Sequence, residues 1–140
     1  MNTANRRPGR QSGFTLIELV VTIAIIAIVT SVALPSYRSS VLKGRRSDAA
    51  DAATAVLQAQ ERWRATNATY NATLAGLSQA ATSANGYYAL ALSAATGTGY
   101  TLSFSPATGK GQDKDTGCTA MAVTVTNGSP AFTPATCWSR

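Results

Sequence analysis

The sequence contains no histidine and is poor in charged residues. Charged residues make up 13% of the 140 residues, with 12 Lys and Arg against 6 Asp and Glu. Histidine is the side chain that most often serves as a general base near neutral pH, and it is a frequent zinc ligand. Its absence excludes the usual catalytic triads and most zinc sites. Since no nucleophile motif stands in the sequence either, we expect no enzyme activity, no cofactor and no metal site.

Cysteine is also scarce, because Cys118 and Cys137 are the two in the chain. Their position near the C-terminus is typical of one disulfide loop formed in an oxidising compartment, with two free thiols as the alternative. The net charge is +6, and Arg6, Arg7 and Arg10 near the N-terminus supply half of this excess. An excess this small does not by itself indicate a nucleic-acid-binding protein.

Residues 14–34 form an apolar run that contains one charged residue, Glu18. As an α-helix the run would be about 31 Å long, at about 1.5 Å per residue, which matches the hydrocarbon core of a membrane. In a cleaved secretory signal the small residues follow a shorter apolar region, whereas here Gly13 precedes the run. Basic residues flank both ends and leave the orientation open, but a disulfide would place the C-terminal part outside the cytoplasm.

The segment GFTLIELVVTIAIIAIVTSVALPSY resembles the amino-terminal signature of type IV prepilins and the related pseudopilins. Beyond residue 37 the resemblance is looser and is to PilE-type pilins, through KGRRSDA, a tyrosine pair before a strand, and a terminal DTGC and CW. This resemblance implies the α+β type IV pilin fold. In that fold a long N-terminal α-helix packs on a small antiparallel β-sheet with a C-terminal disulfide loop.

The resemblance also implies how the chain is processed and where it resides. It divides the chain into a leader peptide over 1–13, a transmembrane and assembly helix over 14–36, and a periplasmic or extracellular head over 37–140. A prepilin peptidase would cleave between Gly13 and Phe14 at the cytoplasmic face, and the new Phe14 amine would be N-methylated. The precursor would reside in the bacterial inner membrane. The mature subunit would join other pilin subunits, through an inner-membrane assembly platform, in a cell-surface filament for motility, adhesion or DNA uptake.

The residues assigned to assembly by the resemblance are Phe14, Thr15, Glu18 and Pro35. Cleavage would create a positive charge on the Phe14 amine, one helical turn before Glu18 and on the same face. Inside an apolar bundle neither charge is tolerated alone, so the carboxylate would pair with the amine of a neighbouring subunit and set the axial register. A signal anchor with an interfacial Glu18 is the alternative. Pro35 either ends the helix or lies within one long helix, which the resemblance favours.

The head is predicted to contain one helix and one sheet. Periodicity predicts an amphipathic helix over 37–65 and an antiparallel sheet over 86–126. The resemblance implies an αβ-loop over 66–85 between them and a disulfide loop over 118–137. Three strands are predicted from the alternating patterns YYALALS, YTLSFS and TAMAVTVT. The predicted polar face of the helix carries Arg45, Arg46, Asp48, Asp51, Glu61, Arg62 and Arg64.

Two alternatives to a general filament subunit remain open. A DNA-binding minor pilin of competence would use basic residues of the head, for which the candidates are Lys43, Arg45, Arg46, Lys110 and Lys114, with Arg140 as a further scattered charge. Against this, the first three lie close to the membrane, and the two lysines alternate with Asp113 and Asp115. A type II secretion pseudopilin is the other alternative, and the same two aspartates would then be calcium ligands.

Overall fold

The structure is a computed structural model that describes residues 13–138. The predicted leader, apart from Gly13, and Arg140 lie outside the described residues. The chain divides into two compact units, Met1–Tyr37 and Arg38–Arg140. One α-helix, α1 (Leu16–Arg64), begins in the first unit and ends in the second.

The first unit contains the start of α1, and a side chain fixes where the helix begins. The Oγ1 atom of Thr15 accepts a hydrogen bond from the backbone N–H of Glu18 at 3.2 Å, and the Thr15 carbonyl accepts one from Leu19 at 3.2 Å. Thr15 therefore caps the helix, and the order Thr-x-x-Glu is the capping-box pattern. The large apolar side chains from Phe14 to Leu34 are exposed. By length and composition alone, this part of α1 could cross a membrane.

The helix continues through Pro35 without interruption, so the long helix favoured by the resemblance is confirmed. Hydroxyl groups just before the proline bond to carbonyl oxygens of the preceding turn. Thr30 donates to the carbonyls of Ile26 at 2.8 Å and Ala27 at 3.2 Å, and Ser31 donates to that of Ile28 at 2.7 Å. These bonds satisfy the hydroxyls within an otherwise apolar segment.

In the second unit one face of α1 packs into the core. Ala49, Ala53, Val56 and Ala59 are buried at steps of three and four, as the periodicity predicts. The αβ-loop is joined to this helix by Gln60, which is fully buried. The Gln60 amide accepts from the backbone N–H of Asn71 and donates to its carbonyl, both at 2.9 Å.

A four-stranded antiparallel sheet in the order β1-β2-β3-β4 completes the head. The strands are β1 (Tyr88–Ser93), β2 (Gly99–Pro106), β3 (Met121–Thr126) and β4 (Ser129–Thr133). The three predicted strands are confirmed, and their predicted inward residues are buried or, for Leu92, partly buried: Tyr88, Leu90, Leu92, Tyr100, Leu102, Phe104, Met121, Val123 and Val125. The prediction of three strands missed β4, which is exposed along its whole length and contains Pro130.

The two edges of the sheet differ. Beside β1, the segment 81–83 bonds to the strand: Leu90 donates to the Ala81 carbonyl at 2.8 Å, and Ser83 donates to the Tyr88 carbonyl at 2.9 Å. At the other edge β4 pairs with β3, and Pro130 lies opposite Val125. Proline within a sheet is confined mainly to edge strands, because it has no N–H to donate.

The predicted disulfide is confirmed. Cys118 and Cys137 are bonded, with their Cα atoms 5.6 Å apart, and both are buried. The adjacent Trp138 packs edge-on against Phe104 and Phe132, with ring centroids 5.4 and 5.2 Å away. The bond thereby fixes the C-terminal segment beside the start of β3.

Candidate functional sites: the helix start and a basic surface of the head

The start of α1 places three of the predicted assembly residues close together. Gly13 and Phe14 precede the helix and are exposed, Thr15 caps it, and Glu18 lies in its first turn. A helix N-terminus favours a carboxylate, because unpaired N–H groups give it a partial positive charge. Pro35 lies far along the same helix and takes no part in this arrangement.

Gly13 shows no structural requirement for glycine. A Cβ atom built on Gly13 would have no heavy atom within 4 Å, and its backbone does not adopt a left-handed conformation. A glycine required by the fold would show either a close neighbour or a positive φ.

A basic surface forms in the second unit where α1, the start of β1 and the β2–β3 loop meet. Arg45 donates from Nη1 to the backbone carbonyl of Lys110 at 2.9 Å, and its guanidinium lies 4.6 Å from the ring centroid of Tyr87. Lys110 and Lys114 are exposed in the loop. We call Arg45, Tyr87, Lys110 and Lys114 the basic surface. The structure thus brings Arg45 and Lys110 together from distant parts of the sequence, with Lys114 exposed in the same loop as Lys110, and it adds the aromatic ring of Tyr87.

Lys43 and Arg46, the other two candidates, do not contribute a free charge to this surface. Lys43 is exposed two residues before Arg45, and helix positions two apart do not share a face. Arg46 is engaged within the chain: its Nε and Nη2 atoms donate to the two carboxylate oxygens of Asp115 at 2.8 and 2.7 Å. The hydrogen bond to Asp115 raises the pKa of Arg46. Arg46, predicted on the polar face, is therefore largely covered, with 15% of its side chain exposed.

Asp115 is held from a second direction by Gln112, which is fully buried. The Nε2 atom of Gln112 donates to Asp115 at 2.9 Å and to the backbone carbonyl of Leu42 at 3.2 Å. This arrangement changes the charge of the loop, because Asp115 is neutralised by Arg46 while Asp113 is exposed. The Asp115 carboxylate, one of the two calcium ligands that the pseudopilin alternative requires, is thus already bonded to Arg46 and Gln112. Within residues 13–138 no group of three or more His, Cys, Asp or Glu could hold a metal ion.

Asp48 differs from its prediction, because it is buried and not on the polar face. Its Oδ1 atom accepts from the backbone and side-chain nitrogens of Asn85 at 3.0 and 3.1 Å, and its Oδ2 atom accepts from the Tyr87 N–H at 3.4 Å. Asp48 therefore fixes the backbone that carries Tyr87. The sequence does contain a signal for this burial, because Asp48 lies four residues before Ala52 and therefore on the apolar face of the helix.

Comparison with known proteins identifies two matching families. Residues 35–122 match the family described as type IV minor pilin ComP, DNA uptake sequence receptor. Residues 8–34 match the prokaryotic N-terminal methylation motif. The first match covers more than half of the chain and includes every residue of the basic surface. The second includes Gly13, Phe14, Thr15 and Glu18.

Curated relatives are similar over a short segment. The chain is 51% identical over 39 residues to the fimbrial protein EcpC of Eikenella corrodens, which covers 28% of this chain and 26% of that protein. It is 49% identical over 39 residues to the fimbrial protein of Moraxella nonliquefaciens, covering 28% and 25%. The same identity and length are found with the type IV major pilin protein PilE1 of Neisseria gonorrhoeae, covering 28% and 24%. The chain thus spans about a quarter of the length of these relatives.

Proposed function

Because this chain belongs to the type IV minor pilin family typified by ComP, we propose that it is a structural subunit of a type IV pilus. A prepilin peptidase removes residues 1–13, the Phe14 amine is methylated, and the apolar part of α1 moves from the membrane into the filament core. The observation that carries the proposal is the family match over residues 35–122, directly preceded by the methylation motif over residues 8–34.

The helix start supports this processing. The bond between Gly13 and Phe14 lies just outside the capped helix and is exposed, so a peptidase reaches it without unwinding α1. Since the fold itself does not require a glycine at position 13, recognition by the peptidase explains that residue. In a role of this kind the chain is a substrate of enzymes and a component of an assembly, not a catalyst.

Replacing Glu18 tests the filament proposal. We expect Glu18→Gln to be inserted and cleaved normally but to fall more than tenfold in sheared filaments, because an unpaired Phe14 ammonium would remain in an apolar core. The measurement is subunit abundance in sheared filaments and in membranes, with the N-terminal mass of each pool. Glu61→Gln is the matched control, since Glu61 is an exposed carboxylate on the head part of the same helix. Normal incorporation of Glu18→Gln would contradict the pairing, and mature material that still begins at Met1 would contradict the processing.

A second function, DNA binding, is favoured by the basic surface. Arg45 lies against Tyr87 and bonds to the Lys110 backbone, Lys114 is exposed in the same loop, and the ion pair with Arg46 offsets the charge of Asp115. Cations grouped in this way bind phosphates of a nucleic acid and release counterions. We propose that the head uses this surface to contact DNA.

The salt dependence of binding tests the DNA proposal. For the full-length protein in neutral detergent and a duplex of about 20 base pairs, we expect Lys110→Gln and Lys114→Gln each to flatten the plot of log K against log salt by about one unit. Lys43→Gln is the control, because it removes the same charge outside the basic surface, and we expect a smaller effect. No binding at low salt, or equal effects of the three variants, would reject this surface as the DNA site.

A further inference from the structure

The β2–β3 loop, residues 107–120, has little regular structure to fix its position. It contains one 3-10 turn, Gln112–Lys114, and the three glycines at positions 109, 111 and 117 all have φ near +80°. Because glycine adopts many conformations in a flexible chain, the loop requires outside contacts to hold one conformation. The loop carries Lys110 and Lys114, so whatever holds it also determines where these two charges lie.

Side chains of the loop and of α1 supply those contacts. Arg46 forms a two-pronged ion pair with Asp115, and its Nη1 atom also reaches the Thr136 carbonyl at 3.5 Å. Gln112 links Asp115 to the Leu42 carbonyl on the helix. We call Arg46, Gln112 and Asp115 the loop clamp. Two parallel hydrogen bonds between a planar guanidinium and a carboxylate fix one relative orientation, whereas a single hydrogen bond leaves several orientations open.

The clamp lies next to the basic surface in the sequence and in space. Arg45, which bonds to the Lys110 carbonyl, directly precedes Arg46 on α1, and Gln112 lies between the two lysines. Apart from the two lysines and the clamp residue Asp115, the loop has one charged residue, Asp113, which is exposed. A shallow depression beside it is lined by residues that include Thr108, Gly109 and Lys114.

We propose that Arg46, Gln112 and Asp115 are positioning residues that hold the β2–β3 loop against α1, so that Lys110 and Lys114 join Arg45 in one phosphate-binding surface for DNA. This inference rests on the DNA-binding function proposed above. The clamp residues do not touch DNA. They act through the geometry of the lysines.

A positioning role and a simple charge effect predict opposite results for one substitution. Asp115→Asn keeps the shape of the side chain but removes a negative charge beside the surface. If only net charge mattered, this variant would bind DNA more tightly. If the clamp positions the loop, the variant binds more weakly, because the neutral amide cannot form the ion pair that holds Lys110 and Lys114 beside Arg45.

The test is DNA affinity of the full-length protein in neutral detergent, measured by fluorescence anisotropy with the same duplex over a series of salt concentrations. We expect Asp115→Asn to weaken binding at least fivefold at low salt and to flatten the salt dependence by up to two units, despite its higher net charge. Asp113→Asn is the matched control, with the same charge change at an exposed position of the same loop, and we expect equal or tighter binding. Arg46→Lys keeps the positive charge but cannot form the two parallel hydrogen bonds to Asp115, and we expect it to weaken DNA binding as well.

Hydrogen exchange provides a second measurement that does not depend on DNA. We expect backbone amides of residues 107–117 to exchange faster in Arg46→Lys, while those of β2 and β3 keep the wild-type rate. If Asp115→Asn does not fold, the affinity and exchange of Arg46→Lys decide the question. Unchanged or tighter DNA binding by a folded clamp variant overturns the positioning role and leaves DNA binding in place. Wild-type protein that binds no DNA at low salt overturns both.

Discussion

Two buried tyrosines make the head sensitive to alkaline conditions. Tyr88 is fully buried and Tyr100 nearly so, and the Tyr100 ring packs against Tyr70 at 4.9 Å. Burial raises the pKa of both Tyr88 and Tyr100 above the ordinary value of 10.0, because an ionised phenolate would lose its hydration. In the unfolded chain both side chains would ionise near the ordinary value.

From these pKa shifts we predict that the head loses stability as the pH rises above 10. The unfolded state then binds fewer protons than the folded state, so the free energy of unfolding falls with pH, whereas below pH 10 both states are protonated and stability is unaffected. Ultraviolet absorbance of tyrosinate, followed with circular dichroism, checks this. Tyr88 and Tyr100 should ionise together with unfolding. Ionisation of Tyr88 and Tyr100 while circular dichroism still shows folded protein would contradict the prediction.

The buried polar residues show where sequence reasoning reaches its limit. The pilin signature and the single glutamate were readable because a charge in an apolar run stands out. Helix periodicity predicts Asp48 and Arg46 on the polar face, yet Asp48 is buried against Asn85, and Arg46 is largely covered by its ion pair with Asp115. Such partners lie far away in the sequence, so helix periodicity alone does not reveal them.

At the level of elements, two glycines in the head have opposite consequences. Gly44 lies inside α1, and a Cβ built on it would meet no heavy atom within 4 Å. Gly99 opens β2, and a Cβ there would overlap the backbone carbonyl oxygen of Val125 on β3. The first glycine costs helix stability without a packing reason, whereas the second allows two strands to approach closely.

We predict that Gly44→Ala raises the free energy of unfolding by about 1 kcal/mol, since alanine loses less backbone entropy in a helix. Gly99→Ala should lower it by more than this, because the backbones of β2 and β3 must move apart. Urea unfolding of both variants in neutral detergent, monitored by circular dichroism, measures the two changes. A destabilised Gly44→Ala would contradict the prediction and show that the fold of the subunit itself needs glycine at this position.

The fourth strand was missed although a local signal for it exists. Asn127 and Gly128 both have positive φ, and Asn-Gly between two strands is the strongest short signal of a two-residue hairpin. The segment after it lacks alternation, because all five residues of β4 are exposed. Hydrophobic periodicity detects strands that bury one face. An exposed edge strand such as β4 is predicted instead from the turn residues that precede it.

At the scale of the whole molecule, the disulfide secures the C-terminal segment. The Cys118–Cys137 bond closes a loop that contains β3, β4 and the turn between them. A loop of this length lowers the entropy of the unfolded chain, which stabilises the folded head by about 3 kcal/mol in the chain-entropy model.

We predict that the double variant Cys118→Ser, Cys137→Ser folds less stably by about this amount and reaches lower levels in the cell before filament assembly is affected. Thermal unfolding and subunit abundance in membranes check the two parts. Wild-type protein with a reducing agent is the matched comparison for the bond alone. Unchanged melting behaviour and abundance would show that packing of Trp138 on Phe104 and Phe132 is sufficient to hold the segment.

The two sheet edges affect how copies of the head can associate with one another. Segment 81–83 bonds to the first half of β1 at one edge, and Pro130, which has no N–H, lies in β4 at the other. Two heads that meet therefore find neither edge fully open for backbone pairing, which lowers the risk of aggregation through the sheet. In the filament proposed above, subunits would then associate by packing of apolar side chains along the N-terminal part of α1 and not by extending a shared sheet.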